Sequence, residues 1–201
     1  MLETSRIKLF AELCHSAQAC RQCPDLSERT AVLSENNGNI FAKVMFVAEA
    51  PGRQGGDRTR TPFSGDKSGA NFQKFIDSID LKRAEIFITN SALCNPRKPS
   101  GANRRPSQRE IKNCSAFLKQ QIALVNPRII ASLGSVALEA LRAIEYHQIS
   151  LKNAGEIFNW NGRLLVPLYH PSPQVIASHR RLAEQLEDYK ILGKIIKQEL
   201  R

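Results

Sequence analysis

Four short apolar runs, spaced by longer stretches of helical periodicity, set the plan of this chain. The first spans 40–48 and closes on Val44-Met45-Phe46-Val47-Ala48, a run of the length of a strand buried on both faces. It ends at Glu49-Ala50-Pro51-Gly52, where Pro and Gly stop a strand and open a turn. A long polar loop, 53–69, leads into a helical pattern with Phe72, Phe75, Ile76 and Ile79 on one face. Further strands are expected at 85–90, 127–133 and 163–169, and 157–162 reads as a hairpin arm carrying Trp160. Helices are expected at 5–19, from the capping-box spacing Ser107-Gln108-Arg109-Glu110 onward, from Gly134-Ser135 through Leu141, and over about 180–200. On the second of these, Ile111, Cys114, Leu118, Ile122 and Val125 recur at helical spacing, which turns Cys114 inward.

Strands alternating with helices predict an α/β fold, a mainly parallel four-stranded sheet with helices on both faces. At 201 residues, without a repeat, low-complexity tract or linker, the chain reads as one domain. No apolar run approaches about 18 residues, which leaves out a membrane span. The N-terminal residues lack the apolar core of a secretory signal, so a cytoplasmic, nucleoid-associated protein is expected.

Charge adds a candidate partner. Lys and Arg number 29 against 19 for Asp and Glu, a formal net charge of +10, which favours a polyanion such as nucleic acid. Five basic residues (Arg97, Lys98, Arg104, Arg105 and Arg109) fall within 97–109 with no acid among them, and this segment reads as an exposed basic loop. His179, Arg180 and Arg181 fall in the expected first turn of the last helix, where cations oppose the helix dipole and a bound phosphate would resolve the conflict.

The cysteines add candidate chemistry. Cys20-Arg21-Gln22-Cys23 is a C-x2-C pair, with Cys94 and Cys114 far along the chain and Cys14 before the pair. In a cytosolic chain such thiols point to metal binding or catalysis, and four thiolates suit zinc or an iron–sulfur cluster. In a parallel sheet the C-terminal strand ends share one edge, so the groups at 49–66, Asn90 and His170 can converge.

Those groups carry a resemblance. Ala48-Glu49-Ala50-Pro51-Gly52, Thr61-Pro62-Phe63-Ser64-Gly65-Asp66 with Ser68-Gly69, Ile88-Thr89-Asn90, Leu133-Gly134 and Tyr169-His170-Pro171-Ser172-Pro173, with four cysteines in the matching order, resemble the cluster-containing family 4 and family 5 branches of the uracil-DNA glycosylase superfamily. The resemblance spans roughly 20–186. It implies a three-layer α/β/α sandwich, a [4Fe–4S] cluster on Cys20, Cys23, Cys94 and Cys114, and hydrolysis of the N-glycosidic bond of a deaminated base in DNA, the first step of base excision repair. A monomer is expected. Cys14 falls outside the ligand pattern.

The resemblance also implies roles. Ala50, Pro51 and Gly52 line the base site, Phe63 stacks on the flipped base, and Asn90 reads its edge, an amide accepting from uracil N3–H and donating to O4 where cytosine presents the reverse. His170 donates to O2 as negative charge develops on the leaving base. For the acid, Glu49 matches family 4 and Asp66 matches family 5, with Asp66 the first choice and Asp57 a loop-structuring residue. Here Gly56 replaces the second acid of family 4, and the stretch between Cys94 and Cys114 is longer than in that family. Pro173-Gln174-Val175-Ile176 corresponds to the segment that wedges into DNA, through Val175 and Ile176. Arg97, Lys98, Arg104, Arg105, Ser172, Arg180 and Arg181 are the expected DNA contacts. The rival from another class is an iron–sulfur nucleic-acid-binding protein without hydrolytic activity, and a third reading keeps the enzyme with hypoxanthine or xanthine as the base.

Overall fold

The structure, a computed structural model, describes residues 3–200; Met1, Leu2 and Arg201, and so the very start of the N-terminal stretch, lie outside it. Helix α1 (Glu3–Ala19) leads through the cysteine pair to strand β1 (Val44–Ala48). The glycine-rich loop holds a short helix α2 (Gly56–Thr59) and ends in α3 (Lys67–Asp77). Then follow β2 (Ile86–Asn90), α4 (Gln108–Val125), β3 (Ile129–Leu133), α5 (Ser135–Arg142), β4 (Phe158–Trp160), β5 (Arg163–Leu168), α6 (Pro173–Ser178) and α7 (Leu182–Glu199).

The sheet runs β2-β1-β3-β5-β4, with only the β4–β5 pair antiparallel. Side chains alternate between two cores, as the strand period requires. Met45, Val47, Phe87, Ile130 and Leu165 meet α1, α4 and α5 on one face. Val44, Phe46, Ile88, Ala131 and Val166 meet α3 and α7 on the other. The result is three layers. Strand order reverses between β1, whose next strand lies to one side, and β3 on the other. That reversal opens a crevice at the C-terminal ends of β1 and β3, the place where open α/β sheets bind ligands.

Three expectations change. The sheet has five strands rather than four, because the hairpin arm supplies β4 on the edge, where Trp160 Nε1 donates to the Glu145 carbonyl at 2.9 Å. The first strand begins at Val44 rather than Ile40, since Asn39 makes a turn, its Oδ1 accepting from Phe41 N at 2.9 Å and its carbonyl from Ala42 N at 3.0 Å. The last helix begins at Leu182, so Arg180 and Arg181 precede its first turn. Glu184 occupies that turn and accepts from Arg181 N at 2.7 Å, while Arg180 donates to Asp188 at 3.0 and 2.6 Å. Two carboxylates therefore meet the need that a phosphate was expected to fill.

Candidate active site and cysteine site

Glu49, Ala50, Pro51, Gly52, Phe63, Asp66, Asn90 and His170 line one cleft of about 350 Å³, a volume within the range of small-molecule sites. The strands explain the convergence. Asn90 ends β2 opposite Ala48, Glu49 follows β1, and His170 follows β5. The amide of Asn90 (5% exposed) carries no hydrogen bond to the protein among the described residues, which leaves it for a ligand.

Phe63 is held from three sides. Its backbone is left-handed at φ 50°, an uncommon state for a residue with a side chain. Its ring stacks on Phe72 at 4.6 Å and tilts against His170 at 5.7 Å. Behind it, the Arg83 guanidinium donates to the Pro62 carbonyl at 2.5 Å and the Phe63 carbonyl at 3.4 Å. Gly69 completes the hold: a Cβ there would stand 2.4 Å from the Phe63 carbonyl oxygen, so only glycine lets α3 pass so close.

The two acids differ in surroundings. Asp66 caps α3, its Oδ1 accepting from Gly69 N at 2.8 Å, and its Oδ2 lies against the glycine loop, where a Cβ on Gly55 would stand 2.2 Å away. An Asp just before a helix is a capping signal that sequence carries, and a reading of Asp66 for chemistry alone misses it. The Glu49 carboxylate has no hydrogen-bond partner among the described residues. Burial raises its pKa, Arg105 pulls it back and Glu139 pushes it further up. Burial lowers His170 to about 4, with the Asp66 charge opposing, so its imidazole is neutral near pH 7.

A second pocket is lined by Cys20, Cys23, Cys94 and Cys114 together with Ala17, Leu26, Leu93 and Phe117. Among the described residues no three Cys, His, Asp or Glu side chains converge tightly enough to share a single metal ion. A four-iron cluster is wider than one ion and takes one thiolate per iron, and four thiols around an apolar pocket fit that donor set. Asn113 Nδ2 donates to Cys23 Sγ at 3.4 Å, the kind of bond that supports a metal-ligating sulfur. Burial, then the charges of Cys114, Cys20 and Cys23, push Cys94 up to about 12. Cys14 lies in the apolar core, with burial raising it to about 11.

The sequence profile of the Uracil DNA glycosylase superfamily matches residues 35–193. The chain belongs to that superfamily. It is 30% identical over 170 residues to the type-4 uracil-DNA glycosylase of Thermotoga maritima, covering 84% of each chain. It is 29% identical over 191 residues to the type-4 enzyme of Archaeoglobus fulgidus, covering 92% of each. It is also 30% identical over 164 residues to the type-5 uracil-DNA glycosylase of Pyrobaculum aerophilum, covering 75% of this chain and 70% of that one.

Against this uracil-DNA glycosylase fold, the segment 97–109 is not a free basic loop. Arg97 pairs with Asp57, Arg104 with Glu110 through two bonds at 2.7 and 2.6 Å, and Arg105 with Glu139. Arg97 and Asn103 bridge as a small hairpin, with Gly101 N donating to the Lys98 carbonyl at 2.8 Å. Among the expected DNA contacts, Lys98 and Arg181 are exposed and form no ion pair among the described residues. Ser172 caps α6, its Oγ accepting from Val175 N at 3.3 Å. The expected wedge is thus the first turn of a helix: Val175 lines the cleft, and Ile176 packs on the α3–α7 core. Sequence reasoning missed Arg83, Asn95 and Asn103, which hold the site without belonging to any of the matching motifs.

Proposed function

We propose that the chain hydrolyses the N-glycosidic bond of uracil in DNA and so begins base excision repair. The observation that carries this reading is the single cleft that gathers a free amide, an aromatic face, a neutral imidazole and two carboxylates. A base must leave the duplex to be reached, and the cleft receives it on Phe63. Asn90 accepts from N3–H and donates to O4, a pattern that cytosine does not offer. As the C1′–N1 bond breaks, its electron pair passes to the base, and His170 donates a hydrogen bond to O2 where the charge gathers. Being neutral, the imidazole stabilises that anion without giving up its proton.

Water then adds to C1′. Glu49 is proposed to take its proton, because its carboxylate has no hydrogen-bond partner among the described residues and is made more basic by burial. Asp66 supplies a fixed negative charge facing the sugar cation, a role that a carboxylate committed to a helix cap can hold. This reverses the order of the two acids expected from sequence. Cys20, Cys23, Cys94 and Cys114 would hold a [4Fe–4S] cluster, which when bound ties the N-terminal segment, the loop after β2 and helix α4 together. Lys98 and Arg181 are the proposed free phosphate contacts, with Arg97, Arg104, Arg105 and Arg180 organising the surface through their acid partners and Ser172 capping the wedge. The site is complete in one chain, in keeping with a monomer.

The test is a panel of oligonucleotides bearing uracil, hypoxanthine or xanthine, treated with mild alkali after incubation with brown, iron-containing protein. Cleavage at uracil is expected. Binding without any alkali-labile site would instead favour a non-hydrolytic nucleic-acid-binding protein, and stoichiometric zinc without iron would overturn the cluster.

A further inference from the structure

The loop that carries Cys94 and the loop that walls the base cleft run side by side. Ser91 donates to the Ala48 carbonyl through both its N and its Oγ, each at 2.8 Å, and Ala92 N donates to the Glu49 carbonyl at 3.0 Å. Beyond Cys94, Asn95 Nδ2 donates to the Pro51 carbonyl at 2.6 Å. Cys94 therefore sits between two residues, Ala92 and Asn95, that are each bonded to the cleft loop.

Asn95 is the less replaceable of the two. It is 1% exposed, so water is not at hand to take over its bonds. Its Oδ1 accepts from Arg97 Nε at 2.5 Å, and its Nδ2 is shared between Pro51 and Asn103 Oδ1, the latter at 3.1 Å. The orientation is unique. A guanidinium only donates and a peptide carbonyl only accepts, so a flipped amide would set donor against donor and acceptor against acceptor. Arg97 is anchored in turn by Asp57, and Asn103 Oδ1 also accepts from Arg53 N at 3.0 Å. Three parts of the glycine loop, at Pro51, Arg53 and Asp57, thus hang on one buried amide next to a cysteine ligand. Downstream of Pro51, Gly52 and Gly55 form the wall against Asp66 Oδ2, where a Cβ on either would stand within 3.2 Å.

We propose that Asn95 is the positioning residue through which the cysteine loop sets the wall of the base cleft, so that occupancy of the four-cysteine site governs the placement of the acids. It rests on the proposed glycosylase and cluster readings. Asn95 stands at the wall of the cleft with 1% of its surface exposed, and its proposed effect on the acids passes through Pro51.

The test uses the full chain with its iron. N95D keeps the shape and the acceptor toward Arg97 but loses both N–H donors and sets an oxygen against the Pro51 carbonyl. Iron content and Kd for duplex DNA with a hydrolysis-resistant 2′-fluoro-deoxyuridine are expected within about threefold of wild type. The single-turnover rate on uracil is expected to fall at least about tenfold. A rate within twofold of wild type overturns the proposal, as does a loss of DNA affinity equal to the loss of rate. A second measurement needs no variant: amide hydrogen exchange in wild type with and without iron. Faster exchange at 50–57 on iron removal, with β3 unchanged, is expected; unchanged exchange at 50–57 overturns the coupling. Wild type that never cleaves uracil DNA refutes the glycosylase reading instead, and wild type that never holds iron refutes the cluster reading, leaving the hold on Pro51 to be judged by the exchange in N95D.

Discussion

Lowering the pH should destabilise this protein through His170 in a way that can be isolated. Its folded pKa is about 4 against an ordinary value of 6.5. As pH falls below 6.5, the unfolded chain takes up a proton that the folded chain refuses until about pH 4, so stability is lost across that window. A separation of about 2.5, at roughly 1.36 kcal/mol per pH unit, gives about 3 kcal/mol lost once both forms are protonated, and about 2 kcal/mol by pH 5. The ring faces the cleft on one side, so these are upper limits. Asp66 is the charge that opposes the shift. The assay is urea unfolding of wild type and H170Q at pH 7.5 and pH 5. His147, also lowered by burial, is common to both proteins and cancels. Wild type should lose up to about 2 kcal/mol more than H170Q on acidification. Equal losses, or an NMR titration of His170 near 6.5, would refute an imidazole whose desolvation keeps it neutral down to about pH 4.

Other expectations follow from the same geometry. E49Q should lower the single-turnover rate by more than D66N and remove an acidic limb lying above the usual carboxylate range, because the Glu49 pKa is raised; D66A, which removes the acceptor of the Gly69 N bond, should also lower the melting temperature through the lost α3 cap, whereas D66N should keep it. R83A should free the carbonyls of Pro62 and Phe63, raise KM for uracil DNA several-fold, and be partly restored by added guanidinium; no change would mean that Gly69 and Phe72 hold Phe63 unaided. The double variant K98A/R181A should reduce the salt slope of DNA binding by about two, one for each cation withdrawn from the phosphates. An R104A/R105A double variant should cost stability, since it leaves Glu110 and Glu139 without their guanidinium partners and only the Ser107 N and Gln108 Nε2 bonds remain.

The parts legible in the sequence are those with local signatures. Apolar runs located four strands because parallel strands are buried on both faces, and the capping box at Ser107 located α4, where Ser107 Oγ accepts from Glu110 N at 3.2 Å. Among the residues that line the cleft, those at a strand end or in a short motif were legible. What stayed hidden depends on partners distant in sequence. Arg97 finds Asp57 forty residues away, and Arg105 finds Glu139 thirty-four away, so a run of basic residues read as a free surface is in fact largely paired. Arg83 lies twenty residues from Phe63, on a turn before β2 with no motif of its own. Strand β4 lies within the expected hairpin arm, but its three residues are too few to show a period that would count it as a fifth strand of the sheet.

Two carboxylates in one cleft need not be rivals, because their surroundings separate what each can do. Asp66 has one oxygen bonded to Gly69 N and the other against the glycine wall, so its charge is fixed in place but poorly free to turn toward a water. Such a group suits electrostatic stabilisation of a sugar cation. Glu49 has no hydrogen-bond partner among the described residues, and burial makes its carboxylate a stronger base, which suits proton removal from water. The Arg105–Glu139 pair beside it keeps that basicity within bounds: the guanidinium lowers the Glu49 pKa and the second carboxylate raises it. Arg105 comes from the stretch between Cys94 and Cys114, so that segment reaches the acid as well as the surface. The two acids that the resemblance to families 4 and 5 implies thus stand in one cleft, each in surroundings suited to a different half of the proposed hydrolysis.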